Sequence, residues 1–287
     1  MFTHCLFFLF PWLVGFFVFL FYPILASFYL SFTDYDILRK PLWIGLDNYK
    51  SLLVDPIFWI SLKVTFTYAL ITLPLSIFLG VAIALMLNQK IKGIGVYRTC
   101  FYLPSIVPLV ASSIIWLWIF RGDEGGLLNF FLSKLNINAI MWLGDPAWSL
   151  VALIIMNLWM LGNSVLIYLA GLQNIPESLY EASEIDGAGF LHKTFHVTIP
   201  MLMPTIFFNL IIGIISVFQY FIPAYVMTSG GPEYSTTFYS LYAYQNAFED
   251  FKFGYASSMA WILFSIVLLC TFLAFKQFAG KIFYHGK

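Results

Sequence analysis

Six stretches of this chain are apolar and long enough to cross a lipid bilayer as helices. A spanning helix needs about 20 mostly apolar residues, because each residue rises about 1.5 Å and the hydrocarbon core is roughly 30 Å thick. Backbone groups find no water in lipid, so each stretch must satisfy its own hydrogen bonds as a helix. The stretches comprise residues 6–30, 64–87, 99–120, 148–171, 205–227 and 255–275. The sequence therefore predicts an all-α polytopic membrane protein with about six transmembrane helices.

The composition excludes several classes of protein. Hydrophobic residues make up 61% of the 287 residues and charged residues only 10%, whereas soluble domains carry about 25% charged residues. Lys plus Arg and Asp plus Glu number 14 each, so no basic surface of the kind that binds nucleic acid is expected. Membrane lipid, and not nucleic acid, is therefore expected among the partners of the chain.

A seventh apolar stretch, residues 127–142, is interrupted by polar side chains. Lys134, Asn136 and Asn138 follow one another too closely for a helix that faces lipid. We expect this stretch to form an extramembrane or interfacial helix.

Six spans place both ends of the chain on the same side of the membrane. Basic residues divide seven against seven between the loops of the two sides, so the positive-inside rule hardly distinguishes the two orientations. Residues 88–98 contain three basic residues and no acid, which favours cytoplasmic termini. No linker or repeat divides the chain, which predicts a single transmembrane domain over residues 1–287 with a longer outer loop at residues 33–63.

The loop between the fourth and fifth spans, residues 172–204, carries an acidic helix. Pro176 suits the first position of a helix, and Glu177 in the first turn complements the helix dipole. Glu177, Glu181 and Glu184 then lie at i, i+4 and i+7, on one face. These acids could meet a basic partner, or they could simply keep an ordinary loop in water. The residues alone leave both readings open.

A turn at Asp186 and Gly187 is predicted to separate this helix from a second short helix over residues 192–196. Together the two helices resemble the EAA loop, the signature of the membrane subunits of binding-protein-dependent ATP-binding cassette importers. The EAA pattern is E-A-A, then D-G-A, and later I-x-L-P. The chain departs mildly from it at Ser183 and Ile199. The residues expected to couple to an ATPase are Glu181, Ala182, Ser183, Asp186, Gly187, Ala188 and Pro200.

Further segments narrow the resemblance to sugar permeases of the maltose or glycerol-phosphate class. Each segment is a weak motif, but they occur in the order seen in that class. They comprise residues 31–35, 43–49, 230–232, 239–248 and 254–256. The resemblance implies the permease subunit of an ATP-driven sugar importer, with a short cytoplasmic coupling helix between the fourth and fifth spans.

The same resemblance implies the partners and the location. It implies a second related permease, two cytoplasmic ATPase subunits, an extracytoplasmic sugar-binding protein and a carbohydrate substrate, in the inner membrane of a bacterium. The chain has no GxxxxGK[ST] phosphate loop, so ATP and Mg are expected on the ATPase partner. We expect no catalytic residue, no cofactor and no enzyme activity in this chain. The histidines have no metal-ligand spacing, so no metal is expected; they are His4, His192, His196 and His285.

Polar and aromatic residues of the fourth and fifth spans are candidates for the sugar path. Amides beside aromatic rings suit the hydroxyl groups and the apolar C–H faces of sugars. The candidates are Asn157, Trp159, Ser216, Gln219 and Tyr220. These spans contain no Lys or Arg, which favours a neutral sugar. Polar residues in membrane helices are, however, often interhelical contacts.

Three alternative functions are a stand-alone secondary transporter, a membrane enzyme and an importer permease for another solute. A stand-alone secondary transporter would need coupling carboxylates at mid-membrane, which the predicted spans lack. A membrane enzyme would need a catalytic constellation, such as G-x-S-x-G or H-E-x-x-H, and none occurs. An importer permease for a non-sugar or anionic solute stays open.

Overall fold

The described part of the protein is predominantly helical, as predicted. The structure, a computed structural model, describes residues 2–89 and 91–278. Lys90, one of the three basic residues of the segment 88–98, and His285 lie outside the described residues. Within the described residues there are fifteen α-helices, three π-helical turns and one small antiparallel hairpin of two strands, β1 and β2. The elements in chain order are α1 (Phe2–Gly15), a π turn (Phe16–Phe21), α2 (Tyr22–Leu30), β1 (Thr33–Asp34), β2 (Leu42–Trp43), α3 (Asp47–Val54), α4 (Pro56–Leu87), α5 (Ile94–Ile106), α6 (Leu109–Ile119), α7 (Leu127–Lys134), α8 (Pro146–Trp159), α9 (Gly162–Gln173), α10 (Glu177–Ile185), α11 (Phe190–Lys193), a π turn (Thr194–Thr198), α12 (Ile199–Phe218), α13 (Ile222–Met227), α14 (Tyr239–Tyr244), a π turn (Gln245–Glu249) and α15 (Phe253–Phe278).

The spans correspond to the predicted stretches, with two of them bent. Four stretches of the described chain are long and apolar enough to span a membrane: Leu9–Leu30, Pro56–Leu87, Phe190–Met227 and Phe253–Phe278. The helix pairs α5–α6 and α8–α9 meet the same criteria but bend by 100° and 44°. The count is therefore six when each bent pair is one span, in agreement with the prediction of about six.

The third predicted span, residues 99–120, is present but consists of two helices with a sharp bend between them. Helix α5 ends at Ile106, and Val107 has extended backbone angles of φ −67° and ψ 131°. Pro108 explains the break, because its ring pushes the preceding residue out of the helical region and its nitrogen donates no hydrogen bond. Helix α6 then starts in a new direction at Leu109.

The chain divides into two compact units. The first comprises Met1–Trp59 and Tyr242–Ile266. It brings together three of the weak motif segments, which are far apart in sequence. The Asn48 amide donates hydrogen bonds of 2.9 Å to the Ser31 and Thr33 carbonyl oxygens, and the Gly254 N–H donates to the Tyr35 carbonyl at 3.1 Å. The motif residues therefore hold this unit together.

A carboxylate joins the two segments of the first unit. Asp55 Oδ2 accepts hydrogen bonds from the hydroxyls of Tyr242 at 2.6 Å and Tyr255 at 2.7 Å, and Oδ1 accepts from the Ile57 N–H at 2.9 Å. Burial raises the pKa of the Asp55 carboxyl, but the hydrogen bonds from the two tyrosines and from backbone N–H groups outweigh burial and lower it. Asp55 thus binds a residue that is 187 positions away in sequence.

We expect Asp55→Ala to destabilise the protein by about 2 kcal/mol, because it leaves two half-buried tyrosine hydroxyls without their acceptor. The folded carboxyl has a lowered pKa, so its stabilisation is present above pH 3.8 and is lost as the pH falls through the folded pKa below that value. Thermal unfolding at pH 7 and at low pH measures both effects. Asp47→Ala is the control, because its bond to Lys50 is exposed; an equal loss in both variants would contradict the prediction.

The second unit, Ile60–Leu241 with Val267–Lys287, contains the inner core from which the coupling loop emerges. Helices α9 and α12 approach closely at Gly171, where an added Cβ would lie 2.6 Å from Thr205 Oγ1. Helices α5 and α9 approach closely at Gly162, where an added Cβ would lie 2.8 Å from the Phe101 carbonyl oxygen. The inner core consists of Val81, Ala84, Leu87, Leu161, Val165, Tyr168, Leu169, Leu172, Ile175 and Leu202. The prediction of a single domain stays a prediction.

Candidate functional site: a coupling loop and a polar depression

The predicted turn in the coupling loop is a helix C-terminal cap of the Schellman type. Helix α10 ends at Ile185, Asp186 is its C-cap, and Gly187 has a left-handed φ of +72°. The Gly187 N–H donates to the Glu184 carbonyl at 3.0 Å, and the Ala188 N–H donates to the Ser183 carbonyl at 2.9 Å. These two bonds define the Schellman motif, which favours glycine at its left-handed position. The D-G-A segment is therefore a structural stop for α10.

The inner face of α10 is attached to the helix bundle. Leu179 and Tyr180 are half-buried and pack against the inner core. The Tyr180 hydroxyl lies 3.1 Å from Thr198 Oγ1, in the π turn before α12. Helix α10 is therefore in direct contact with the inner core and with the turn that precedes α12.

One of the three predicted acids already has a partner within the loop. Glu184 Oε1 lies 2.8 Å from Lys193 Nζ, which joins α10 to α11. The hydrogen bond and the charge of Lys193 lower the pKa of Glu184. Glu181 is exposed on α10. The acidic face available to another subunit therefore differs from the predicted one, because Glu184 serves the loop itself.

Large apolar side chains surround the same turn and were missed in the sequence analysis. Ile185 is 87% exposed, Phe190 70%, Leu191 68% and Phe195 61%. They flank a depression of about 450 Å³ whose lining includes Ser183, Asp186, Gly187, Ala188, His192 and His196. Four large apolar residues in so short and polar a loop are a signal that sequence inspection could have used. Such a patch is typical of a protein interface.

Most of the predicted coupling residues lie together on α10 and in the turn that ends it. Glu181, Ala182 and Ser183 are consecutive on α10, and the turn residues follow them directly. Pro200 lies apart, in the first turn of α12, where a missing N–H is tolerated. The structure thus brings six of the seven predicted coupling residues together.

The two histidines of the loop stack on each other. Their ring centroids are 4.0 Å apart, and His196 Nδ1 lies 3.1 Å from the His192 carbonyl oxygen. No group of three or more metal-ligating residues occurs in the part of the chain that the structure describes.

A polar depression of about 170 Å³ lies between α4, α8, α9 and α12. It contains two of the predicted path residues, Asn157 and Ser216. The Asn157 amide makes no hydrogen bond to any other described residue, whereas Ser216 Oγ donates to the Ile212 carbonyl at 2.9 Å. Other polar residues lining it were not predicted: Thr72, Ser76, Ser164 and Asn209. Its described lining has no charged side chain.

The other three predicted path residues lie elsewhere. Trp159 lines a separate depression of about 330 Å³ beside Cys100 and Gly162. Gln219 is exposed just after α12. Tyr220 is buried, with its ring centroid 4.6 Å from that of Tyr68. The structure thus groups Asn157 with Ser216 and separates them from these three.

Comparisons with known proteins give consistent matches. Residues 73–283 match the family model described as binding-protein-dependent transport system inner membrane component. The chain is 45% identical to the probable ABC transporter permease protein YesP of Bacillus subtilis, over 96% of this chain and 91% of that protein. It is 34% identical to the trehalose/maltose transport system permease protein MalF of Thermococcus litoralis, over 93% and 90%.

A third relative is the sulfoquinovosyl glycerol transport system permease protein SmoG of Agrobacterium fabrum, at 35% identity over 87% of this chain and 82% of that protein. Among solved structures, a chain of a bacterial ABC transporter that imports the acidic polysaccharide alginate has the same fold. It superposes with a TM-score of 0.81 at 23% identity, over 93% of this chain and 92% of that chain.

Proposed function

The chain belongs to the family of binding-protein-dependent transport system inner membrane components, and we propose that it is the permease subunit of an ATP-driven sugar importer. The observation that carries this proposal is the coupling loop, in which a capped acidic helix is exposed on one side and packed on the inner core on the other. Relatives named as transporters of trehalose and maltose, lactose and arabinooligosaccharides support a sugar as the substrate. A stand-alone secondary transporter is not favoured, because these relatives are permease subunits of transport systems.

We further propose that the chain forms half of a translocation path with a second related permease. The polar depression supports this, because its volume of about 170 Å³ is below the roughly 300 Å³ at which ligand pockets begin. A second subunit would complete it. A solved neighbour is an alginate transporter in complex with an alginate-bound periplasmic protein, which supports an extracytoplasmic sugar-binding protein as a further partner.

Two cytoplasmic ATPase subunits are the proposed partners of the coupling loop. Glu181 would meet a basic residue of the ATPase, and the exposed Ile185 and Phe190 would be buried by it. Closure of the ATPases would push α10, and Leu179 with Tyr180 would pass the movement to the inner core. The loop therefore lies in the cytoplasm in this proposal, together with both termini of the chain, in a bacterial inner membrane. ATP and Mg would bind the ATPases alone.

The experiment that tests this function is reconstitution. The chain should co-purify with an ATPase, a second permease and a binding protein, and vesicles containing the complex should take up sugar only with ATP inside. The isolated chain should show no ATP hydrolysis above a detergent blank. ATP turnover by the isolated chain, or uptake without the ATPase, would contradict the proposal.

The proposed sugar path comprises the predicted residues, with Asn157 and Ser216 supported best by the geometry. We expect Asn157→Ala to reduce uptake by about 2-fold to 10-fold, the worth of one neutral hydrogen bond, while binding-protein-stimulated ATP hydrolysis is retained. Asn163→Ala is the control, because Asn163 is an exposed amide in the first turn of α9 that does not line the depression. Equal kinetics of uptake in the two variants would remove Asn157 from the path.

A further inference from the structure

Helix α7 and the residues that follow it, in the segment that joins α6 to α8, expose an apolar surface that the proposed function does not use. Phe130 is 48% exposed, Phe131 57%, Leu135 68%, Ile137 49% and Met141 59%. We call these five residues the α7 surface. Residues 125–143 contain no acidic residue, and Lys134 is their one basic residue.

A buried asparagine fixes the orientation of α7. The Asn129 amide donates to the carbonyl oxygens of Arg121 at 3.0 Å and Ile140 at 2.9 Å. Its Oδ1 accepts from the Ile140 N–H and from the Trp142 indole N–H, both at 3.1 Å. All four hydrogen-bonding positions of this amide are therefore used. The α7 surface is held outward by this network, and its exposure does not result from a loose loop.

In the chain, α7 lies between two candidate membrane spans. Residues 120–126 alone separate α7 from the end of α6, and α8 starts the next span at Pro146. Trp118, 53% exposed in the last turn of α6, and Trp148, 38% exposed in the first turn of α8, are placed as aromatic anchors at span ends. The α7 surface is thus continuous in sequence with two membrane boundaries on the same side.

We propose that α7 is an interfacial helix whose surface binds phospholipid, with Phe131 and Leu135 among the acyl chains and Lys134 at a lipid phosphate. Lys134 Nζ lies 5.2 Å from the Phe130 ring centroid, so its charge sits beside the aromatic ring at the edge of the apolar surface. A phosphate group would complement this single cation, and acyl chains would cover the phenylalanines. A protein partner is the competing occupant, and the experiment distinguishes the two.

The test measures the depth of a spin label in the full complex. The cysteines at positions 5, 100 and 270 are replaced by serine, and Phe131→Cys or Ser133→Cys is labelled after reconstitution into phosphatidylcholine and phosphatidylglycerol vesicles. Oxygen concentrates in lipid, whereas a nickel chelate stays in water, so their relative effects on the label give its depth. Ser133 is the matched control, because it is exposed two residues further along the same helix.

We expect the Phe131 label about 5–10 Å inside the headgroup boundary and the Ser133 label in water. Leu135→Cys, on the same surface, should behave as Phe131→Cys and replaces it where that variant does not assemble. Labels at Phe131 and Leu135 that the nickel chelate reaches as readily as Ser133 would overturn the proposal. Labels shielded from both reagents, and released when the binding protein is removed, would overturn it in favour of a protein partner. Since none of these outcomes depends on transport, failure here leaves the proposed function intact.

Discussion

Glu181→Lys should abolish coupled transport, while the transmembrane helices of the chain remain folded. Glu181 is exposed on α10, so its replacement costs the chain little stability. In the proposed interface the new lysine faces a basic residue of the ATPase. Loss of a buried charge pair costs about 2–5 kcal/mol, so we expect binding of the ATPase to weaken by at least about 30-fold. Uptake and binding-protein-stimulated ATP hydrolysis in vesicles measure the effect.

Two further variants show whether the loss of coupled transport is specific to position 181. Glu124→Lys makes the same change of charge at an exposed residue of the segment between α6 and α7, and it should transport normally. Glu184→Gln removes the ion pair with Lys193, although its amide oxygen can still accept a hydrogen bond, and should loosen α11 without reversing a charge. Normal uptake and normal stimulated ATP hydrolysis with Glu181→Lys would exclude the proposed charge pair.

The spans could be predicted from sequence because length and apolarity alone define them. The break between α5 and α6 could be located at Pro108, since proline restricts the residue before it, but its angle of 100° could not be predicted. That angle depends on contacts such as the close approach of Gly162 to Phe101, which no local pattern records. The small hairpin of β1 and β2 was missed for the same reason, because Asn48 holds it through bonds to residues 15 and 17 positions away.

The site was predictable in part. The Asp186-Gly187 pair indicates a turn from its own chemistry, and the structure has the left-handed glycine there. The exposure of Phe190 and Phe195 was not predicted, because large apolar side chains are ordinarily buried. In the polar depression, Asn157 was predicted but Thr72 was not. Apolar residues are spread evenly around α4, so its sequence does not indicate which face meets other helices.

Gly187→Val should also abolish coupling, through the backbone and not through charge. An added Cβ at Gly187 meets no atom within 4 Å, so crowding is not the cause. The φ of +72° is the cause, since a left-handed conformation costs an ordinary residue about 1–2 kcal/mol and a β-branched residue more. The variant is expected to lose both bonds of the cap, so that α10 frays at the end that bears Ile185. Stimulated ATP hydrolysis and uptake should fall together, with unchanged thermal unfolding of the spans.

A neighbouring glycine provides the matched control. Gly189 has a φ of −73°, which any residue adopts, and a Cβ there also meets no atom within 4 Å. Gly189→Val should therefore retain transport, although it adds the same side chain two residues away. Gly187→Asn should restore much of the activity that Gly187→Val loses, because asparagine tolerates the left-handed region. If Gly189→Val is as harmful as Gly187→Val, or if Asn rescues nothing at position 187, the loop is sensitive to side-chain size and the cap does not carry the coupling.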